Sequence, residues 1–293
     1  MSIIRESTSI VHHTSTKEAL MKILKNECFK VNYCTERIYV DGQKSLHIAV
    51  PMVSFADIKL SDYVRVYRDS KKIEEETTAL GYYGDYALCL SKEWARKNHV
   101  YPICYISKPG NMHDVAANYL LHDLSSYAQA TIPPQDLGQD VELPNLASFC
   151  KHDIGYLERT LLASSAKRHK YAFYNEREYR YVPAHIPVKW NFFNTHSDYD
   201  QGKIMKDKCN KNLAEYLRFD LYSNVTGIVV KTEESIDELM ELLNKMHNQR
   251  LKKLAEQYSK NPSTYKWKES QLNSQHNSLL TKIITTHQLL TEI

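Results

Sequence analysis

The densest chemistry in the sequence lies in one short run, Glu176-Arg177-Glu178-Tyr179-Arg180. It sits within residues 171–182, whose aromatic and β-branched content reads as a strand. Side chains alternate across a strand, so Tyr174, Glu176, Glu178, Arg180 and Val182 are expected on one face. Carboxylates two positions apart on such a face lie within roughly 7 Å of each other. They repel unless a cation or a hydroxyl-rich ligand separates their roles, and one pKa is then pushed up. A carboxylate in that setting could bind a ribose diol and stabilise an oxocarbenium-like centre as a glycosidic bond breaks. The same residues also suit a structural ladder in which Arg177, Arg180 and their neighbours neutralise exposed acids.

A second constellation is His12-His13-Thr14, at the end of a short apolar run. Neutral imidazole offers one donor and one acceptor, and threonine adds a hydroxyl, so together they could hold a carboxamide or a ribose. A third set is Ser54 with Asp57, and Tyr82, Tyr83 and Tyr86 around Gly84; an aromatic face there could stack on a base or simply pack a β-rich surface. A Ser-His-Asp hydrolase is disfavoured, because no G-x-S-x-G elbow exists and Ser54 follows valine in a strand. The six cysteines form no CxxC pair, which argues against zinc. With only 8 glycines and neither GxGxxG nor GxxxxGK[ST], a Rossmann or P-loop site is improbable.

These residues need a scaffold. Ser15 is placed to cap a helix, with Glu18 completing a capping box and Ala19, Leu20, Ile23 and Leu24 forming its apolar stripe. Residues 31–58 are strand-like, with Pro51 marking an edge or a bend. Residues 86–90 form a buried strand, and Ser91 can cap a short helix carrying Trp94. Further strands are expected over 100–106 and 225–231, a helix over 111–130 and a loop over 132–144. After Thr232 the pattern turns helical through Ile236, Leu239, Leu242, Leu243 and Met246, with a second helix around 279–290 and no strand signal.

At 293 residues the chain can bury a core that orders a cleft. The 38 basic against 35 acidic residues do not by themselves require a nucleic-acid partner, although Lys203, Lys206, Lys208 and Lys211, or Lys167, Arg168 and Lys170, could touch phosphate. No signal peptide is read in the polar first residues, and no apolar run reaches the roughly 18 residues of a membrane span. A cytoplasmic setting with reduced thiols is the expectation.

Several blocks, in collinear order over roughly residues 10–231, resemble the AbiGi abortive-infection family. They are His12-His13-Thr14 with Leu20 and Ile23-Leu24; Pro51-Met52-Val53-Ser54-Phe55-Ala56-Asp57-Ile58 with Leu60-Ser61; Tyr83-Gly84-Asp85-Tyr86 and Leu90-Ser91-Lys92-Glu93-Trp94; Pro102-Ile103-Cys104-Tyr105; and Phe173 through Pro183 around Glu176 and Glu178. Members of that family are often called antitoxins of abortive-infection pairs, a label that implies binding without catalysis. The order of a first-strand His-x-Thr, central Ser and Tyr strands and a late-strand Glu also resembles the ADP-ribosyltransferase superfamily. That likeness implies an α+β fold with a split sheet, flanking helices and a helical appendage. Residues 1–232 would form the core, with an insertion at about 107–165, and residues 233–293 the appendage.

The likeness further implies NAD as substrate and no metal. His12 and Thr14 would hold the nicotinamide ribose and carboxamide, with Ser54 or Tyr86 as the middle motif. Glu178 would be the catalytic carboxylate, and Glu176 would stand two residues earlier. His13 departs from the glycine that many relatives of that fold carry. The leading expectation is a phage-defence toxin that transfers ADP-ribose to RNA, DNA or protein, or hydrolyses NAD if water replaces the acceptor. The alternative is a non-catalytic antitoxin whose Glu–Arg ladder is structural and whose residues 233–293 bind a partner.

Overall fold

β-Branched and aromatic runs broken by polar turns give this chain its strands, and helical stripes of Leu and Met supply their cover. The computed structural model describes residues 7–41, 44–59, 85–106, 148–152, 154–157, 169–183, 192–193, 207, 210–211 and 213–291. The helix expected over 111–130, the loop over 132–144, Tyr82, Tyr83 and Gly84, and Lys167, Arg168, Lys203, Lys206 and Lys208 lie outside those residues.

β1 (Ser9–Thr14) runs into α1 (Lys17–Asn26). Thr16, not Ser15, is the cap: its backbone is extended (φ −134°, ψ 152°) and its hydroxyl accepts from the Ala19 N–H at 3.2 Å. α1 stops at Glu27, which is left-handed (φ 48°). Next come β2 (Cys28–Lys30), β3 (Asn32–Asp41) and β4 (Lys44–Ala56); the last two form an antiparallel hairpin. Pro51 lies inside β4. On one edge of β4 it falls between Ile48 and Val53, a stretch where that edge carries no partner among the described residues.

β5 (Tyr86–Ser91) leads directly into α2 (Lys92–Lys97), where Ser91 accepts from the Trp94 N–H. There follow β6 (Tyr101–Pro102), β7 (Cys104–Ile106), β8 (Cys150–His152), β9 (Ile154–Leu157) and β10 (His169–Ala172). A 3₁₀ turn, Phe173–Glu176, precedes β11 (Glu178–Tyr181). After β12 (Phe192–Phe193) and β13 (Tyr216–Arg218) come α3 (Leu221–Asn224) and β14 (Val225–Val230). The chain ends in α4 (Glu233–Gln257), α5 (Pro262–Leu280), β15 (Ile283–Thr285) and α6 (Thr286–Thr291).

Seven strands follow the order β15-β14-β5-β1-β4-β11-β6, with β3 and β12 also paired to β4. Among the described residues only β14 and β15 are parallel neighbours within this sheet, which is a mixed α+β arrangement that closes into no barrel there. Alternation along β5 divides its side chains between two cores. Leu88 and Leu90 join Ile10, Leu20, Leu24, Phe29, Phe55 and Trp94, while Ala87 and Cys89 join Val11, Ala56, Ile58, Val229 and Leu289.

Residues 233–293, expected as a helical appendage without strand, behave differently on two counts. Leu239, Leu243, Met246 and Leu279 enter the larger core together with the sheet residues, and Ile283–Thr285 extends the sheet beside β14. The second helix of the hairpin is α5, well before the 279–290 stretch read from sequence. β15 is too short for its period-two pattern to stand out from the helical residues around it. Among the described residues no helix is long and apolar enough to cross a membrane.

Candidate functional site

β4 has two partners in succession on one edge. Its Lys44–Met52 part pairs with β3, and only Ala56 is paired with β1, through Val11. Between these ladders the edge of β4 opens, and His12 fills part of the opening: its Nδ1 lies 2.9 Å from the Ser54 carbonyl oxygen. A carbonyl only accepts, so Nδ1 carries the proton and Nε2 is the acceptor of the neutral ring. Burial lowers the His12 pKa, against the opposing pull of that carbonyl bond. The ring also packs on Phe29 and Phe55 at centroid distances of 4.7 and 5.5 Å. His12 thus does the job of a missing ladder bond while lining the open cleft, of about 1180 Å³, that passes through the gap.

The inner end of this cleft is an ion-pair quartet. Glu178 Oε1 accepts from Arg180 Nε at 2.7 Å and from Ser54 Oγ at 2.9 Å. Its Oε2 accepts from Lys151 Nζ at 3.0 Å and Arg180 Nη2 at 3.1 Å. A carboxylate has about four lone-pair sites, and here the chain's own donors fill them all. Lys151 also reaches Glu176 Oε2 at 2.9 Å and sits 4.7 Å from the Phe173 ring centroid. Arg180 has no exposed surface and donates a further bond to the Ser148 carbonyl at 2.6 Å. Burial alone would raise the Glu178 carboxyl, but the Arg180 and Lys151 charges overcome it and hold it down at about 2. Two acids and two bases make the quartet neutral.

The outer wall is basic. In the β2–β13 ribbon Lys30 stands opposite Tyr216 and Cys28 opposite Arg218, so these four share one face, while Phe29 and Leu217 turn into the core. α1 adds Lys22 and Asn26 to the rim. Lys30 Nζ donates to the Asn210 carbonyl at 2.7 Å. Among the described residues no three His, Cys, Asp or Glu side chains converge to hold a metal.

His12, Thr14, Ser54, Glu176 and Glu178, singled out from sequence, all line this cleft. Tyr86 stands opposite Thr14 in register and packs against the larger core, outside the cleft lining. Asp57 turns from Ser54 to Lys92, at 2.7 Å. The expected strand alternation through the acidic run needs correction. β11 begins at Glu178, and Glu176 reaches Lys151 from the 3₁₀ turn through Arg177, whose φ is 44°, not by strand alternation. The pairs also lie on opposite faces: Val11, Ala56 and Glu178 are register partners on one side, so His12, the neighbour of Val11, points to the other.

Sequence reasoning missed Lys151, Ser148, Tyr105, Lys22, Lys30 and Arg218. Tyr105 accepts the Glu178 N–H at 2.8 Å, and Lys151 comes from β8, which pairs with β7 in parallel. Nothing local marks either residue, since both reach Glu178 through pairings distant in the chain.

A family model described as "Putative abortive phage resistance protein AbiGi, antitoxin" matches residues 26–231. No curated protein and no solved structure matches the chain significantly. The antitoxin description overturns the expectation of a toxin that transfers ADP-ribose from NAD to a macromolecule.

Proposed function

Because the chain belongs to the AbiGi family, we propose that it is the restraining, antitoxin-type member of an abortive-infection pair and acts by binding a partner, without catalysis. One observation carries the second half of that reading. The carboxylate that sequence reasoning marked for chemistry, Glu178, has its acceptor sites taken by Arg180, Lys151 and Ser54 of the same chain. A group that must bond a ribose or steady a developing cation needs at least one open lone pair facing the reacting atoms. Glu178 instead ties β11 to β4 and β8, which is the work of a structural clamp. The reading thus favours the structural ladder considered from sequence, with one change: the acids are buried, at 6% exposure for Glu176 and 7% for Glu178.

Growth tests this directly. The chain is expressed alone, and then with the product of the adjacent open reading frame, which on this reading arrests growth by itself. Tolerance of the chain alone and rescue of the arrest in the pair are expected. Arrest by the chain alone, or an arrest it does not relieve, would overturn the proposal.

A further inference from the structure

The α4–α5 hairpin changes character halfway along its length. Its buried residues are Ser235, Leu239, Leu243, Met246 and His247 on α4 and His276 and Leu279 on α5. Between His247 and His276 no residue is buried, so residues 248–275 form an arm that carries the hairpin beyond the core. At 1.5 Å per residue, the α4 half of this arm extends about 15 Å. Its root is fixed. The His247 and His276 rings stack at 4.1 Å, and Arg250 pairs with Glu27 at 2.5 Å while lying over the Tyr222 ring. Of the arm's residues, Leu272 packs, partly buried, against the larger core. A firmly rooted helical pair that is otherwise without a buried side chain along this length calls for another use.

Two features of the arm point to a partner. It holds six basic residues, Arg250, Lys252, Lys253, Lys260, Lys266 and Lys268, against two acidic ones, Glu256 and Glu269. The chain's formal charge is +3, so everything outside the arm is close to neutral and slightly acidic. Trp267, in the midst of these lysines, is 57% exposed and is the most exposed of the large hydrophobic side chains among the described residues. It sits on the face of α5 opposite Leu272, His276 and Leu279, and the Lys268 ammonium lies 4.8 Å from its ring centroid.

We propose that the arm, residues 248–275, is the docking surface for an acidic protein partner, with Trp267 as the apolar anchor and Lys266 and Lys268 as its cationic surround. This rests on the partner-binding reading above and names the surface that does the binding. Tryptophan is enriched at the centres of protein interfaces, where surrounding polar contacts exclude water. A second copy of this chain is a poor occupant, because two like-charged arms repel. A nucleic-acid strand is disfavoured because Lys268 caps one face of the indole and Arg250, the arm's one guanidinium, is engaged by Glu27. The arm also lies outside the 26–231 region matched by the family model, as expected of a part that selects one particular partner.

The test uses the full chain, immobilised, with the purified product of the adjacent open reading frame as probe. Trp267→Ala combined with Lys266→Glu and Lys268→Glu should weaken binding by about thirtyfold or more. Wild-type affinity should fall as salt rises. The thermal midpoint of the triple variant should stay at the wild-type value, since none of the three side chains is buried, and Lys97→Glu on α2 should bind as wild type. Unchanged binding by the triple variant would overturn the docking surface while leaving the antitoxin reading in place. Failure of the wild type to bind would overturn both. Tighter binding of a 20-nucleotide RNA than of the protein probe, lost in the variant, would replace the acidic protein with nucleic acid.

Discussion

Replacing Glu178 with Gln removes one charge from the quartet while keeping the side chain's shape, and its effect on stability can be worked from the structure. The folded carboxyl titrates at about 2 against an ordinary 4.5. A difference of about 2.5 pKa units, at about 1.4 kcal/mol each, favours the ionised folded form by about 3 kcal/mol. The residue is 7% exposed, so water screens little of this. Breaking a buried ion pair by removing one partner typically costs about 3–5 kcal/mol, because the other charge is left uncompensated; here that charge is the fully buried Arg180. Urea unfolding at pH 7 should therefore show Glu178→Gln less stable by about 3 kcal/mol, a drop in Tm of roughly 6–12 °C. The sign with pH follows from the lowered folded pKa. The contribution is complete above about 4.5 and is lost as pH falls towards 2, so the gap between the two proteins should close over that interval. A gap under about 1 kcal/mol at pH 7, or one that persists undiminished at pH 3, would refute the clamp. A working catalytic carboxylate predicts the opposite, since replacing strained site residues commonly leaves stability unchanged or raises it.

Burial lowers the pKa of His12 and His276 and takes His13 down to about 3, so the unfolded chain binds more protons below about pH 6.5. Stability should thus be complete above pH 6.5 and decline as pH falls towards 5, a window that lies above the Glu178 transition; an unchanged urea midpoint between pH 7 and 5 would contradict this, and His13→Leu should flatten the slope. At the start of α1, Thr16→Ala should cost about 1 kcal/mol by removing the bond to the Ala19 N–H, whereas Ser15→Ala should leave the thermal midpoint within a degree or so; equal effects of the two would place the cap wrongly.

The sequence alone placed the elements whose cause is local. Apolar spacing at Leu20 and Leu24 marked α1, the compact apolar run at 86–90 marked β5, and Ser91 marked the cap of α2, because each signal lies within one or two turns of chain. It also brought His12, Thr14, Ser54, Glu176 and Glu178 forward as chemically able residues, and all five line one cleft. Their roles were decided by contacts that no local pattern records. Arg180 could be seen two residues from Glu178, but not that it would be fully buried there with Lys151, 27 positions away, and Ser54, 124 positions away, filling the remaining lone pairs. The same holds for His12, which completes a ladder left open between β3 and β1. Whether a buried carboxylate has an open lone pair depends on which distant strands the sheet sets beside it, and that pairing is a property of the tertiary structure alone.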